Sequence, residues 1–244
     1  MSGPLNGYDH EVVRALVDRC AEEAVPWTGD QLDYVRVWSS GFRWTDASSL
    51  DGAAFRWGGT QSQVANTVRF GRFDGNLRDH DAYATRKLLV ALASASVELV
   101  TLLRDRDGVD EREPSIRAAV QNFRERFGGR IQVCVGIADL ELESWLLTGF
   151  VAQTDEEKRR LRAEVERLHF DPTCNAELLT HRHDHDPKSP KRVLEVLAPR
   201  SDFVRREQCW TMTPLEVLRE KGANNGLRAF LDEAAAVARA HFEA

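Results

Sequence analysis

Apolar and polar positions alternate along this chain with two different periods. Asp9 is placed to cap a helix that carries Val12, Val13, Leu16, Val17 and Cys20 along one face and stops near Val25-Pro26. Residues 34–38, 54–57 and 67–70 follow a period of two, punctuated by Gly41, Gly52, Gly58, Gly59 and Gly71, and are expected to be half-buried strands. Helical spacing returns over residues 81–94 through Leu88, Leu89, Ala91 and Leu92. Residues 97–103 then form the strongest strand of the sequence, nearly continuous in apolar side chains, as expected for a strand covered on both faces.

After it, Glu113-Pro114 opens a helix through Ile116, Val120 and Phe123 that Gly128-Gly129 ends, and residues 131–136 make a second buried strand. The order strand, helix, strand predicts a parallel βαβ unit. Further on the spacing predicts a short apolar helix over 140–150 and a charged one over 155–169 with Leu161, Val165 and Leu168 inward. A helix from Pro190 carries Val193, Leu194 and Leu197, and a last one runs from Asn224-Asn225-Gly226 to the C-terminus. The expected fold class is α/β: a sandwich with a mostly parallel central sheet flanked by helices, one domain over 1–244, with 154–199 as a helical elaboration in the C-terminal half.

Composition narrows the function classes. Of 244 residues 42% are hydrophobic, enough for a sizeable core, and no apolar run is long enough to cross a membrane, so a cytoplasmic location is expected. Cys20, Cys134, Cys174 and Cys209 form no CxxC pair, which leaves reduced, mostly buried thiols as the expectation. A net charge of −6 argues against a surface that as a whole attracts phosphate backbones, although an arginine-rich face could act locally.

Three clusters carry the chemistry. The first strand ends in Arg104-Asp105-Arg106-Asp107-Gly108, at the carboxyl edge where open parallel sheets bind ligands. There Asp105 and Asp107 can turn toward one point and offer hard oxygens to a cation of Mg2+ size, while Gly108 allows a close turn. Following the next strand, Asp139, Glu141 and Glu143 are interleaved with Leu140, Leu142 and Trp145, so carboxylates lie beside a buried helix and require a cation or a donor. Asp186-Pro187-Lys188-Ser189-Pro190-Lys191 supplies candidate partners, because Lys188 and Lys191 are unfavourably placed for the dipole of the helix they precede or open. His181, His183 and His185 alternate and would share a face if extended, which makes a zinc site conceivable, but no cysteine lies at ligand spacing and a polar loop explains the run. Six tryptophans, among them Trp27, Trp38, Trp44 and Trp57, suit core packing or a stacking surface.

Asp105-x-Asp107 at a strand end, Glu141-x-Glu143-x-Trp145-Leu146-Leu147 and the downstream Pro-Lys helix together resemble a family of TOPRIM-like prokaryotic proteins. Members of that family are often encoded beside ATPases in defence loci. The resemblance implies a Mg2+- or Mn2+-dependent nuclease-type phosphodiesterase working with an ATPase subunit on DNA or RNA. Asp105, Asp107 and Glu141 would be metal ligands, and Glu141, Glu143, Lys188 and Lys191 catalytic residues. Active TOPRIM domains carry a glutamate near the first strand where Asn6 stands here, and an amide can ligate a metal but cannot act as a base. A catalytically degenerate interaction subunit is therefore the alternative. Asp-x-Asp-Gly-Val after an apolar strand is similar also to haloacid dehalogenase-like phosphatases, in which the first aspartate is the nucleophile.

Overall fold

The structure, a computed structural model, describes residues 8–28, 80–93, 97–129, 131–181, 183 and 185–243. The three strands expected at 34–38, 54–57 and 67–70, together with Asn6, Trp38, Trp44 and Trp57, lie outside the described residues.

Helix α1 (Tyr8–Ala24) buries Leu16, Val17 and Cys20 at the expected spacing, and a single turn (Pro26–Thr28) follows it. Next come α2 (His80–Ala93), β1 (Leu99–Asp105), α3 (Arg112–Phe127) and β2 (Gln132–Ala138). The two strands pair into one sheet. Gln132 N–H donates to the Glu98 carbonyl at 2.7 Å near their beginnings and Arg106 N–H to the Ala138 carbonyl at 2.9 Å past their ends, so the strands run parallel. Among the described residues the chain is thus a mixed α/β structure with a two-stranded parallel sheet and flanking helices.

β1 extends two residues beyond the expected strand, which makes Asp105 its last residue. α3 ends where Gly128, at φ 57°, returns its N–H to the Arg124 carbonyl.

The chain packs as two compact units. In the first, α2 lies against α3, and Arg112 of α3 pairs with Asp81 of α2 at 3.0 Å. The second contains the trailing ends of both strands, α1 from Glu11 onward and all later helices: α4 (Glu143–Thr148), α5 (Asp155–Leu168), α6 (Pro190–Leu197), α7 (Phe203–Thr211), α8 (Leu215–Lys221) and α9 (Leu227–Phe242).

Trp145 of α4 is the centre of this second core, with none of its surface exposed. Its ring stacks on Phe230 of α9 at 5.2 Å, and its Nε1–H donates to the Asn225 carbonyl at 2.7 Å. Gly136 of β2 lies directly beneath, where a Cβ would collide with Leu103, Phe230 and Trp145, so only glycine admits both rings to the strand. α4 packs against α6 and α7, and α5 against α6.

α4 is shorter than the helix expected over 140–150. Leu140 sits at φ 62°, and Glu141 N–H returns to the Asp139 carbonyl at 3.0 Å, a γ-turn of the rare positive-φ kind that delays the helix until Glu143. In α5, Thr154 and Glu157 form a reciprocal capping box, and Leu168 is buried as expected. Leu161 and Val165 are only half-buried, while Glu157 and Glu164 are buried. Glu164 is held by Arg167. Glu157 meets Arg205 of α7 at 2.5 Å, Arg205 also donates to the Val151 carbonyl at 2.6 Å, and its guanidinium lies 4.5 Å over the Phe150 ring. Neither α7 nor α8 was anticipated from the sequence pattern.

Candidate active site

The site is built within the second unit, where the ends of β1 and β2 face the N-terminus of α6. The chain turns sharply after Asp105. Asp107 is at φ 50° and Gly108 at φ 61°, and Val109 N–H closes the turn on the Arg106 carbonyl at 3.0 Å. Asp107 N–H donates to the Leu140 carbonyl at 3.3 Å, so the two acidic loops are stitched together backbone to backbone.

Asp105 accepts a 2.9 Å hydrogen bond from Leu142 N–H, the residue that caps α4. That bond favours the ionised carboxylate, but burial opposes it more strongly, and the charges of Glu143, Asp107 and Glu141 add to the opposition. The Asp105 carboxyl is pushed up to about 7.

Glu141 is 2% exposed. One of its oxygens, Oε1, accepts from Lys191 Nζ at 2.5 Å, while Oε2 is buried and accepts no hydrogen bond among the described residues. Burial raises the Glu141 pKa against the lowering effect of Lys191, with Glu143 and Asp107 adding to the rise. For Lys191, burial pulls downward, but the bond to Glu141 and the charges of Glu143, Glu141 and Asp105 outweigh it and raise its pKa, so the ammonium stays charged. Glu143, in the first turn of α4, is half-buried and acts electrostatically on Asp105, Glu141 and Lys191. Asp139 faces Arg106 at 3.7 Å.

The expected lysines separate. Lys191 is the second residue of α6 and reaches Glu141, whereas Lys188 precedes the Ser189 cap, is exposed, and is engaged through its backbone N–H with Asp186 at 2.9 Å. Among the described residues Lys188 forms no ion pair with the carboxylates. His181 pairs with Asp186 at 3.4 Å, and His183 and His185 are exposed on the same loop. Cys20, Cys134 and Cys209 are buried and Cys174 is exposed, and none of them forms a disulfide.

Sequence reasoning overlooked Asn225. This fully buried residue accepts Asp139 N–H on its carbonyl at 2.9 Å, on the same oxygen that receives Trp145. Its side-chain amide donates to Thr148 Oγ1 at 2.8 Å and to the Ser144 carbonyl at 3.4 Å. Gly226 follows at φ 89°, where a Cβ would be driven into the Ile137 carbonyl. The Asn-Asn-Gly string signals a turn, and nothing local in it indicates that the turn holds an acidic loop 80 residues earlier.

A divalent cation fits the chemistry of this donor set. Asp105, Asp107, Glu141 and Glu143 offer hard oxygens, and the Oε2 atom of Glu141 accepts no hydrogen bond among the described residues. Among the described residues no three His, Cys, Asp or Glu side chains close on one point, so a Mg2+-like ion would rest on one or two carboxylates and keep several waters. No protein-family model, curated protein or solved structure matches the chain.

Proposed function

We propose that the chain is a TOPRIM-like, Mg2+- or Mn2+-dependent hydrolase of nuclease type that cleaves phosphodiester bonds in DNA or RNA. In this reading it is a cytoplasmic component of a prokaryotic defence system and works with an ATPase subunit. The observation that carries the reading is the buried Glu141 Oε2, which accepts no hydrogen bond among the described residues, beside three further carboxylates and with one lysine opposite.

Asp105 and Glu141 would hold the cation, with Asp107 beside them on the turn. When bound, the cation supplies a more acidic water and stabilises charge on the departing oxygen. Glu143, more exposed than Glu141, would take a proton from the attacking water. Lys191 faces the negative charge of the phosphate, a role for which a mobile ammonium on a flexible stem is suited. Lys188 takes no part.

Cleavage of single- and double-stranded DNA and RNA with Mg2+ or Mn2+ tests the reading. Asp105→Asn is expected to abolish it. The same cleavage by this variant and by the unaltered chain would remove Asp105 from the mechanism and the reading with it.

One observation favours a second reading. Lys191 already neutralises Glu141, as expected in an interaction subunit that has lost catalysis. Retained binding of an ATPase partner and full biological activity in Asp105→Asn/Asp107→Asn would favour that subunit over the nuclease.

A further inference from the structure

Glu141 and Lys191 form an unequal pair. The carboxylate is almost fully buried, yet only Oε1 is served, while Oε2 has no donor among the described residues. A buried carboxylate left half satisfied is unfavourable, and a second donor or a cation is the usual remedy. Lys191 is an unusual partner in its own right. Pro190 and Lys191 open α6 behind the Ser189 cap, so the ammonium stands at the positive end of a helix dipole, where a cation is disfavoured. What holds it there is the negative charge opposite: Glu141 by direct contact, with Glu143 and Asp105 acting on it through space. The lysine keeps some access to solvent, at 22% exposed, and it can swing away on its four-carbon stem without α6 moving.

We propose that Lys191 is the built-in counter-ion of this site: its ammonium occupies on Glu141 the place of a divalent cation, the two exchange there, and the displaced ammonium turns to an anionic phosphoester substrate. This rests on the metal-dependent reading above and adds the rule by which the site loads. Before loading, the ammonium keeps the cluster of carboxylates from repelling itself apart. After loading, the same charge is free for the substrate, so cation and substrate each favour the arrangement the other needs.

Mn2+ titration of the full chain, read from the spectroscopic signal of free Mn2+, tests this without any turnover. Lys191→Met removes the competitor and is expected to bind Mn2+ about tenfold more tightly than the unaltered chain, the scale of one charge-assisted hydrogen bond. Lys191→Arg is expected to bind several-fold more weakly, because a guanidinium fork can engage both Glu141 oxygens at once. Equal or weaker binding by a folded Lys191→Met overturns the exchange, as does the absence of Mn2+ binding in every form. If Lys191→Met does not fold, Lys191→Arg decides alone, with equal or tighter binding counting against exchange. Cleavage by the unaltered chain is scored separately: active chain with unchanged Mn2+ affinity in Lys191→Met sinks only the exchange, and an inactive chain sinks only the nuclease reading.

Discussion

The carboxylate of Asp105, the last residue of β1, accepts a 2.9 Å hydrogen bond from the backbone N–H of Leu142, which caps α4. One side chain therefore contributes charge to the site and also anchors the helix that opens with Glu143. These two roles oppose each other energetically, and substitutions can separate them.

Asparagine at this position keeps an acceptor for Leu142 and removes the charge. Because the folded-state pKa of Asp105 is about 7, above its ordinary value of 3.8, the folded protein holds that proton more tightly than the unfolded chain. Asp105 thus favours the fold in acid, and this contribution is lost as pH rises from 3.8 through about 7. Asp105→Asn is expected to match the unaltered chain in thermal stability in mild acid and to exceed it in mild alkali. Asp105→Ala instead strands the Leu142 N–H and is expected to lose about 1–3 kcal/mol in mild acid, where charge is not at stake. Parallel melting curves at all pH values would show that Asp105 is not a strained buried charge.

The Glu157–Arg205 pair gives the opposite pH dependence. Burial alone would raise the Glu157 pKa, but Arg205 and the N–H groups of Gln153 and Thr154 outweigh it and hold the carboxyl below its usual 4.5. Its contribution to stability is complete above that value and lost as pH falls through the lower, folded-state pKa. Arg205→Met leaves a buried carboxylate unpaired and is expected to cost about 3–5 kcal/mol near neutral pH by urea denaturation. The gap to the unaltered chain is expected to narrow in strong acid, and a gap independent of pH would contradict the assignment.

At Asn225 and Gly226 the prediction concerns order in the acidic loop. Asn225→Ala deletes the bonds to Thr148 Oγ1 and the Ser144 carbonyl and removes the acceptor of Leu227 N–H, and is expected to cost about 1–3 kcal/mol. Gly226→Ala adds a Cβ at φ 89° against the Ile137 carbonyl and is expected to cost at least as much. Both are expected to perturb the near-ultraviolet circular dichroism of Trp145, whose Nε1–H is bonded to the Asn225 carbonyl. A Gly226→Ala variant of undiminished stability would show that the close approach to Ile137 is not needed.

Elements driven by burial were legible in the sequence. α1, α2, β1, α3, β2, α6 and α9 fall where apolar periodicity and Pro or Gly punctuation put them, within a few residues. Hydrophobic spacing extended α4 back to Leu140, because Leu142, Trp145 and Leu146 follow helical spacing and Leu140 continues the apolar run in front of them. Periodicity carries no sign of a backbone turned to φ 62°. The inward face of α5 was misread for a related reason: Glu157 and Glu164 are buried through pairing with Arg205 and Arg167, arginines that a hydropathy pattern counts as surface.

Residue types at the candidate site were legible as well, and their pairing was not. Lys188 and Lys191 look equivalent on either side of Ser189-Pro190, and the phase of α6 alone directs one of them to Glu141. Asn225 was legible only as the start of a helix, because its hold on Asp139 and Trp145 runs through a carbonyl oxygen, which every residue possesses.

That carbonyl also sets an order of events during synthesis. Trp145 waits for an acceptor 80 residues downstream, and Asp139 N–H binds the same oxygen. Contacts so distant along the chain carry a closure cost that short-range helices do not, and the ribosome delivers the C-terminal partner last. The acidic residues of the β1 and β2 ends therefore leave the ribosome before the Asn225 carbonyl that braces Asp139 and Trp145 has been made. A nascent chain stopped short of Asn225 has every acidic residue of the site and lacks the strut that shapes it.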